Sequence, residues 1–176
     1  HRSNKFNSLI DLNKAFTNKS YKILIKKDYK LAKPLIIYHT TNDKIKSKNV
    51  NLRLEFKLEE NSSLRLIDLF NDNSEKNFLN IFYNFDLKQD SILKNYKIDK
   101  IKNKNVKYSF NNIEQATNSV SETAENSKKH FLNIFYNFDL KQDAILKNYK
   151  IDKIKNKNVK YSFNNIEQAD NSISET

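Results

Sequence analysis

The stretch that decides the fold is NFLNIFYNFDLKQDSILKNYKIDKIKNKNVKYSFNNIEQATNSVSET, residues 77–123, because it returns almost unchanged at residues 130–176. The two copies are offset by 53 residues and differ at four of their 47 positions: Asn77/His130, Ser91/Ala144, Thr117/Asp170 and Val120/Ile173. Self-similar units of this length usually stack and share one core. A closed globule rarely accepts 53 inserted residues, whereas a solenoid becomes longer by one more layer. The alternative is a recent duplication that has no structural role.

Each copy shows the period-two alternation that is typical of half-buried strands. Apolar side chains alternate with polar ones from Leu79 to Leu87, and Phe82 is the exception on the polar face. Two further alternating runs begin at Tyr96 and Val106. The pattern therefore predicts three short strands in the first copy and three equivalents in the second.

The region before the repeat follows the same pattern. Strands are predicted around residues 23–25, 35–38, 52–58 and 64–70, at intervals of roughly 12 to 15 residues. The exception is Ser8 to Phe16, where Leu9, Leu12 and Phe16 share one helical face and Ser8 with Asp11 resembles a capping box. We expect this helix to cover one end of the molecule.

These observations predict an all-β architecture with a short N-terminal helix. Period alone does not separate a sandwich from a solenoid, but the duplication favours a parallel β-helix, in which each coil adds one strand spacing of about 4.8 Å. The predicted organisation is a helical cap at 1–20, a β-helix core at 21–123, a short linker at 124–129 and duplicated coils at 130–176. The last coil is expected either to expose a sheet edge or to dock it against a partner.

Composition bounds the possible functions. Leu, Ile, Val and Phe make up 51 of the 176 residues, enough for a buried core. Without cysteine, this chain alone forms no disulfide, no thiolate zinc site and no cysteine-ligated iron–sulfur cluster. No apolar run is long enough for a membrane span and no secretion signal is visible, so a soluble, cytoplasmic protein is expected. A targeting segment upstream of His1, for example to a plastid, is left open.

Glycine is absent, so other residues must occupy the left-handed turn positions that glycine usually fills. Asparagine is the next best residue there. We expect it to do so at Asn71/Asn73, Asn103/Asn105 and Asn111/Asn112, which lie between apolar runs.

A net charge of +11 invites a nucleic-acid hypothesis, with Tyr96-Lys97 and Lys107-Tyr108 stacking bases over a cationic groove. The distribution of charge argues against it. Residues 1–76 carry +7, whereas the two copies carry only +2 and +1, which would supply few phosphate contacts. Nucleic acid is therefore not expected as a partner.

No residue is assigned to a catalytic, cofactor-binding or metal site. His39 ends an apolar strand and is expected to pack there, and the isolated His1 and His130 do not have the paired spacing of metal ligands. Glu59-Glu60 is expected to be a solvated turn. With no glycine for a phosphate-binding loop and no nucleophile beside a recognisable base, enzymatic activity is not expected.

The order of the pieces resembles the β-helix core of the SufB/SufD family of iron–sulfur cluster assembly proteins over residues 6–120. The Pro-x-Ile-x-x-His stretch that begins at Pro34 is closer to SufD than to SufB. The segments that carry the resemblance are Phe6-x5-Leu12-Asn13-x-Ala15-Phe16, Tyr21-Lys22-Ile23-Leu24-Ile25, Leu31 to His39, Leu52-Arg53, Leu58-Glu59-Glu60-Asn61-Ser62-Ser63-Leu64, Ile67-Asp68, Asn80, Phe85 to Leu93, and Tyr96-Lys97-Ile98.

The resemblance implies a right-handed parallel β-helix subunit without catalysis of its own. Such a subunit pairs with a SufB-like scaffold, docks a SufC-like ATPase and contacts an iron–sulfur cluster only together with its partner. The family's further coils, with the Cys or His that serves the cluster, and its helical ATPase-binding region have no counterpart here. No functional residue is therefore carried over, and the sequence does not show whether ATPase docking is retained.

Two other classes remain open. A repeat-bearing surface or protein-interaction solenoid would use near-identical copies as extra binding area, but it leaves the order of the upstream segments unexplained. A basic nucleic-acid-binding protein is the weaker alternative. The sequence does not decide between a SufB and a SufD role, nor does it give the oligomeric state.

Overall fold

The computed structural model describes residues 4–17, 20–41, 49–72, 78–101, 106–128, 131–152 and 160–175. One helix precedes a succession of strands. Their bounds are α1 Asn4–Phe16, β1 Ser20–Ile25, β2 Leu35–Thr41, β3 Asn49–Leu58, β4 Ser63–Asp72, β5 Phe78–Leu87, β6 Ile92–Ile101, β7 Val106–Gln115, β8 Val120–Lys128, β9 Phe131–Leu140, β10 Ile145–Asp152, β11 Lys160–Gln168 and β12 Ile173–Glu175.

The strands form two parallel six-stranded sheets, and the chain alternates between them. Sheet A has the order β1-β3-β5-β7-β9-β11, and sheet B has the order β2-β4-β6-β8-β10-β12. One odd strand, one corner turn and the next even strand make a coil, so β1 and β2 are coil 1 and β11 and β12 are coil 6. Each coil stacks on the preceding one through parallel ladders. The predicted parallel β-solenoid with a short N-terminal helix is confirmed.

The 53-residue offset between the copies corresponds to two coils, rather than to the one additional layer expected from the sequence. Phe78 is paired with Val106, 28 positions later, and Val106 with Phe131, 25 positions later. These two steps add up to the offset between the copies. Each copy therefore begins with an odd strand at the same place in sheet A, and a second copy lengthens the solenoid without changing the register of the first.

The prediction of three strands per copy is wrong, because a fourth strand, β8, follows Val120. Its inward positions hold Ser121 and Thr123 rather than large apolar residues, so its alternation is invisible in a hydrophobicity pattern. The predicted linker at 124–129 is corrected for the same reason, since residues 124–128 belong to β8 and pair with β6 and β10.

Six corners join sheet A to sheet B, and each has one residue in the left-handed region. These residues alternate between aspartate and asparagine along the axis: Asp28, Asn61, Asp90, Asn118, Asp143 and Asn171, with φ between 53° and 62°. The expectation that Asn71, Asn111 and Asn112 fill such positions is wrong, because they lie inside β4 and β7, where extended backbone is required. Asn73, Asn103 and Asn105 lie outside the described residues.

Among the side chains that the structure describes, most of the buried apolar core lies in coils 2 and 3, and Phe138, Leu140, Ala144 and Leu146 continue it in coil 5. The inward side chains of β3, β4, β5 and β6 interdigitate in coils 2 and 3, and Phe56 stacks on Phe85 with ring centroids 4.9 Å apart. In coil 4 most of the described inward positions are polar, and Ile113 is the buried apolar exception. The buried polar side chains of that coil are Ser109, Asn111, Gln115, Ser119, Ser121 and Thr123.

Helix α1 covers the outer face of sheet A, where it packs against β3 and β5. Asn13 Nδ2 donates hydrogen bonds to the carbonyl oxygens of Leu52 and Asn80, and Asn80 Nδ2 donates to Leu9 O at 2.9 Å. Because α1 already includes Asn4, Ser8 lies within the helix and the proposed capping box is wrong. The helix covers a side of the solenoid rather than only its end.

Phe82 occupies the outer face of β5, and it is nevertheless buried. Its register partner in β3 is Arg53, whose guanidinium carbon lies 4.3 Å from the centre of the Phe82 ring. A cation over an aromatic face is a favourable contact. The break in the alternation therefore marks where the outer face of sheet A is covered.

Candidate functional site

A network of polar side chains lies inside the solenoid, where alternation would place apolar ones. Asp68 faces inward from β4 and is 3% exposed. His39 Nε2 lies 2.6 Å from Asp68 Oδ1, and the Tyr83 hydroxyl donates a hydrogen bond to Asp68 Oδ2. The His39 ring also stacks on Phe70, with centroids 5.3 Å apart. A carboxylate thus holds a histidine from the neighbouring strand of sheet B and a tyrosine from the opposite sheet.

Lys97, which faces inward from β6, is the second buried charge and is 2% exposed. Its Nζ donates to Asn111 Oδ1, lies 3.5 Å from Ser109 Oγ, and sits 3.4 Å from the centre of the Tyr83 ring. Tyr83 therefore contacts both charged groups, through its hydroxyl on one side and its ring on the other. Buried charges of this kind need such partners, because their desolvation is costly.

The two charges occupy neighbouring positions of one inward column of sheet B. Asp68 on β4 is the register partner of Lys97 on β6. Opposite charges on neighbouring strands attract, so this pair favours β4 and β6 as neighbours in this register.

The polar interior continues into coil 4. Ser121 Oγ donates to Gln115 Oε1 at 2.6 Å, and Gln115 Nε2 reaches Ser119 O at 3.2 Å. Asn95, 1% exposed, has neither of its amide atoms hydrogen-bonded within the described part of the chain. Interior amides and hydroxyls tie the strands together and restrict their register.

Charged groups also pair on the outer faces of the two sheets. Arg53 Nε donates to Glu55 Oε1 at 2.8 Å, and this hydrogen bond, helped by Lys22, lowers the pKa of the Glu55 carboxyl against the opposing effect of burial. On sheet B, Lys94 Nζ lies 3.0 Å from a carboxylate oxygen of Glu122, and this interaction raises the pKa of Lys94. Burial, followed by the charge of Glu122, raises the pKa of Tyr96.

The structure places the residues that the sequence singled out as follows. His39 is packed, as described above. Glu59 and Glu60 lie in the corner after β3, where Glu60 forms a 2.6 Å ion pair with Lys27. His1 and His130 lie outside the described residues, as do the side chains of Lys107 and Tyr108.

Tyr96 and Lys97 do not form a joint surface for a nucleic acid. They point to opposite sides of β6: Tyr96 bonds to Glu122 on the outer face, and Lys97 is buried. A base cannot stack between them over a cationic groove. This half of the nucleic-acid hypothesis is therefore contradicted by their placement.

Sequence reasoning missed the Asp68–Tyr83–Lys97 network, although a signal was present. Asp68 stands at the position between Leu66 and Phe70 where the β4 pattern requires a core residue. Lys97 likewise occupies an inward position of β6, two residues after Asn95 and four residues after Leu93. A charge at a core position of an alternating strand identifies a buried pair once the neighbouring strand is known.

Comparisons with known proteins give no relatives: no family model, no curated protein and no solved structure matches this chain. Among the described residues, no group of three or more His, Asp or Glu side chains is arranged to hold a metal ion. The helix within the described ranges is too short and too polar to cross a membrane.

Proposed function

We propose that this chain is a SufD-like, non-catalytic scaffold subunit for iron–sulfur cluster assembly that acts with a SufB-like scaffold and a SufC-like ATPase. The observation that carries the proposal is the order of the resembling segments. They lie on α1, on β1 to β6 and on the corners between these elements, which belong to a parallel solenoid, the fold that the resemblance implies.

The ladder edge formed by β11 and β12 is the surface that would dock the scaffold partner. Within the described residues, β11 pairs only with β9 and β12 only with β10. Unpaired N–H and C=O groups on such edges are templates for strands of another chain. A partner of the same fold could continue both sheets at once.

The cluster itself would depend on the partner. The chain contains no cysteine, so any thiolate ligand to iron must come from the SufB-like subunit. The role proposed for this chain is to hold and shape the complex, which requires a rigid interior rather than reactive side chains. The hydrogen-bonded network around Asp68 and Lys97 fits that role.

Co-expression with candidate SufB-like and SufC-like proteins tests the proposal. A tag on this chain should retain both partners at stoichiometric amounts, and the purified complex should contain iron and acid-labile sulfide after anaerobic reconstitution. Failure to retain either partner, together with salt-sensitive binding of this chain to nucleic acid, would overturn the proposal in favour of the basic-protein alternative.

A matched pair of variants tests the edge. The backbone N–H of Ile173 bonds to Ala144 O at 3.0 Å, so the N–H of Ser174 points to the opposite, unpaired side. Ser174→Pro removes an edge donor without breaking the ladder to β10, and proline is tolerated on an edge strand. It should weaken retention of the SufB-like partner, whereas Ser174→Ala, which keeps the N–H, should not.

A second candidate function is a protein-interaction solenoid that uses its repeated coils as binding area. It is favoured by the fact that the duplication comprises two whole coils, which adds surface without disturbing the coils below. A secretion signal in the gene upstream of His1 would favour this candidate. Co-purification with an ATPase and a cysteine-bearing paralogue would favour the assembly scaffold.

A further inference from the structure

The outer face of sheet B carries an apolar surface with no helix over it in the described part of the chain. Its most exposed members are Tyr38, Ile36 and Ile98, with 58%, 57% and 36% of their surface accessible. We name the sheet B patch by its six residues: Ile36, Tyr38, Ile67, Leu69, Tyr96 and Ile98.

The six side chains form one contiguous block. Ile36, Ile67 and Tyr96 are successive register partners on β2, β4 and β6, and Tyr38, Leu69 and Ile98 form the neighbouring column. All six have outward parity, because the intervening positions such as Ile37 and Asp68 face the core. Contiguous exposed apolar surface of this kind marks an interaction site more often than scattered single residues do.

The outer face of sheet A offers a comparison, because an apolar side chain on that face is covered. Around β3 and β5 that face carries charged residues such as Glu55 and Lys57, and its aromatic residue Phe82 is buried. Helix α1 packs against these two strands. The molecule therefore already uses a helix to cover a sheet face.

The size of the patch also matches a helix. Its three strands are about 4.8 Å apart, so the outer two lie about 10 Å from each other, which is close to the diameter of an α-helix with its side chains. A single amphipathic helix would cover all three strands.

The margin of the patch determines the charge of that helix. Arg65 and Lys94 form the adjacent column on β4 and β6. Arg65 is exposed, and Lys94, nearly half exposed, is paired with Glu122 on β8, so two positive charges and one negative charge leave this margin net positive. The chain as a whole carries +11. Two copies of this face would bring like-charged margins together, whereas an acidic helix would be attracted. We propose that the sheet B patch binds an acidic amphipathic helix of a partner protein.

A synthetic peptide serves as the probe. It has about 18 residues, with leucine at helical positions i, i+3, i+4 and i+7, glutamate on the remaining face, and a terminal tryptophan that reports binding because this chain has none. The acidic peptide should bind with an affinity that falls as salt rises from about 50 mM to about 500 mM. A twin with lysine in place of glutamate should bind at least about tenfold more weakly.

Variants place the binding on the patch. Tyr38→Ser combined with Ile98→Ser should lower the affinity for the acidic peptide about tenfold or more, since central apolar contacts dominate interfaces. Ile173→Ser is the matched control, because Ile173 is 53% exposed on the same sheet but outside the patch, and it should bind as the unaltered protein does. Circular dichroism checks that each variant keeps its sheets.

Three results would overturn the proposal. The acidic and lysine peptides could bind equally well, which would remove the argument from charge. Ile173→Ser could weaken binding as much as the patch variant does. Sedimentation could show self-association that Tyr38→Ser with Ile98→Ser abolishes, in which case the occupant would be a second copy of the chain.

Discussion

At the scale of single residues, the corners show how a chain without glycine builds a solenoid. The left-handed position of each corner is taken by asparagine or aspartate, whose short polar side chains tolerate positive φ better than other residues with a Cβ. A small residue follows in most corners, and at Ser62, Ser91, Ser119 and Ser172 its hydroxyl donates to the carbonyl three residues earlier. The corner is therefore specified twice, by backbone conformation and by side chain.

Substitution at one corner measures how much the left-handed backbone conformation contributes to the free energy of unfolding. Asn118 has φ of 55° and an exposed side chain. Asn118→Ala should lower the free energy of unfolding by about 1 kcal/mol, because alanine enters the left-handed region at a steric penalty. Asn118→Gly should leave it unchanged or raise it slightly. Urea denaturation measures both, and equal destabilisation by alanine and glycine would contradict this account.

The lowered pKa of Glu55 gives a pH prediction. Its folded-state pKa lies below the ordinary value of 4.5, so ionised Glu55 stabilises the fold above that pH, and the contribution is lost as pH falls through the folded pKa. Glu55→Gln should therefore destabilise the protein more at pH about 7 than at pH about 3. The Arg53→Met variant lacks the hydrogen bond that is the main cause of the lowered pKa of Glu55. The stability of this variant should therefore lose most of the same pH dependence. If the stability lost in the Glu55→Gln variant were the same at both pH values, the assignment would be contradicted.

At the scale of strands, the buried opposite charges Asp68 and Lys97 favour β4 and β6 as neighbours. Lys97→Met leaves Asp68 beside an uncharged partner and should destabilise the fold by about 3 kcal/mol, and Asp68→Asn should act similarly. The double variant should be less damaging than the two effects added, with a coupling of about 1 kcal/mol or more. Lys94→Met, on the outer face of the same strand, is the control and should lose less than about 1 kcal/mol. Denaturation midpoints of these variants provide the test, and strict additivity would mean that the two charges do not interact.

The strands differ in how well their sequences predict them. β3 and β5 alternate large apolar and polar residues, so their position and inward face follow from the pattern alone. β8 has serine and threonine inside, and its membership of the sheet depends on the strands that flank it, which a local pattern does not contain. The same holds for the Asp68–Tyr83–Lys97 network: the residues are visible in the sequence, but their meeting depends on the register between three strands and the opposition of two sheets.

At the scale of the whole molecule, the two-coil duplication makes a deletion testable. Removing residues 77–129 joins β4 to β9 and leaves Lys150 beside Asp68, as Lys97 is now. This variant should fold cooperatively, with a denaturant m-value lower by about a third because two of six coils are missing.

Removing one coil, residues 78–105, is the matched control. It would place Glu125 beside Asp68 and Asn111 beside Leu54, which sets like charges and a polar amide against the core of coil 2. We expect this shorter deletion to be far less stable than the longer one, as measured by circular dichroism during thermal unfolding. Equal stability of the two deletion variants would show that the coils are interchangeable.

The identity of residues 78–87 and 131–140 has a consequence for how the chain folds. During refolding, β9 can add to β3 in the place of β5, leaving the first copy looped out, and the longer loop raises the closure entropy only by about 1 kcal/mol or less. In this misfolded state β9 is paired with β3 in a locally correct register. The chain reaches the native state only after these two strands have separated. The tandem duplication does not disturb the folded solenoid, but it creates two competing folding routes. Refolding should therefore show a slow phase that deletion of residues 77–129 abolishes.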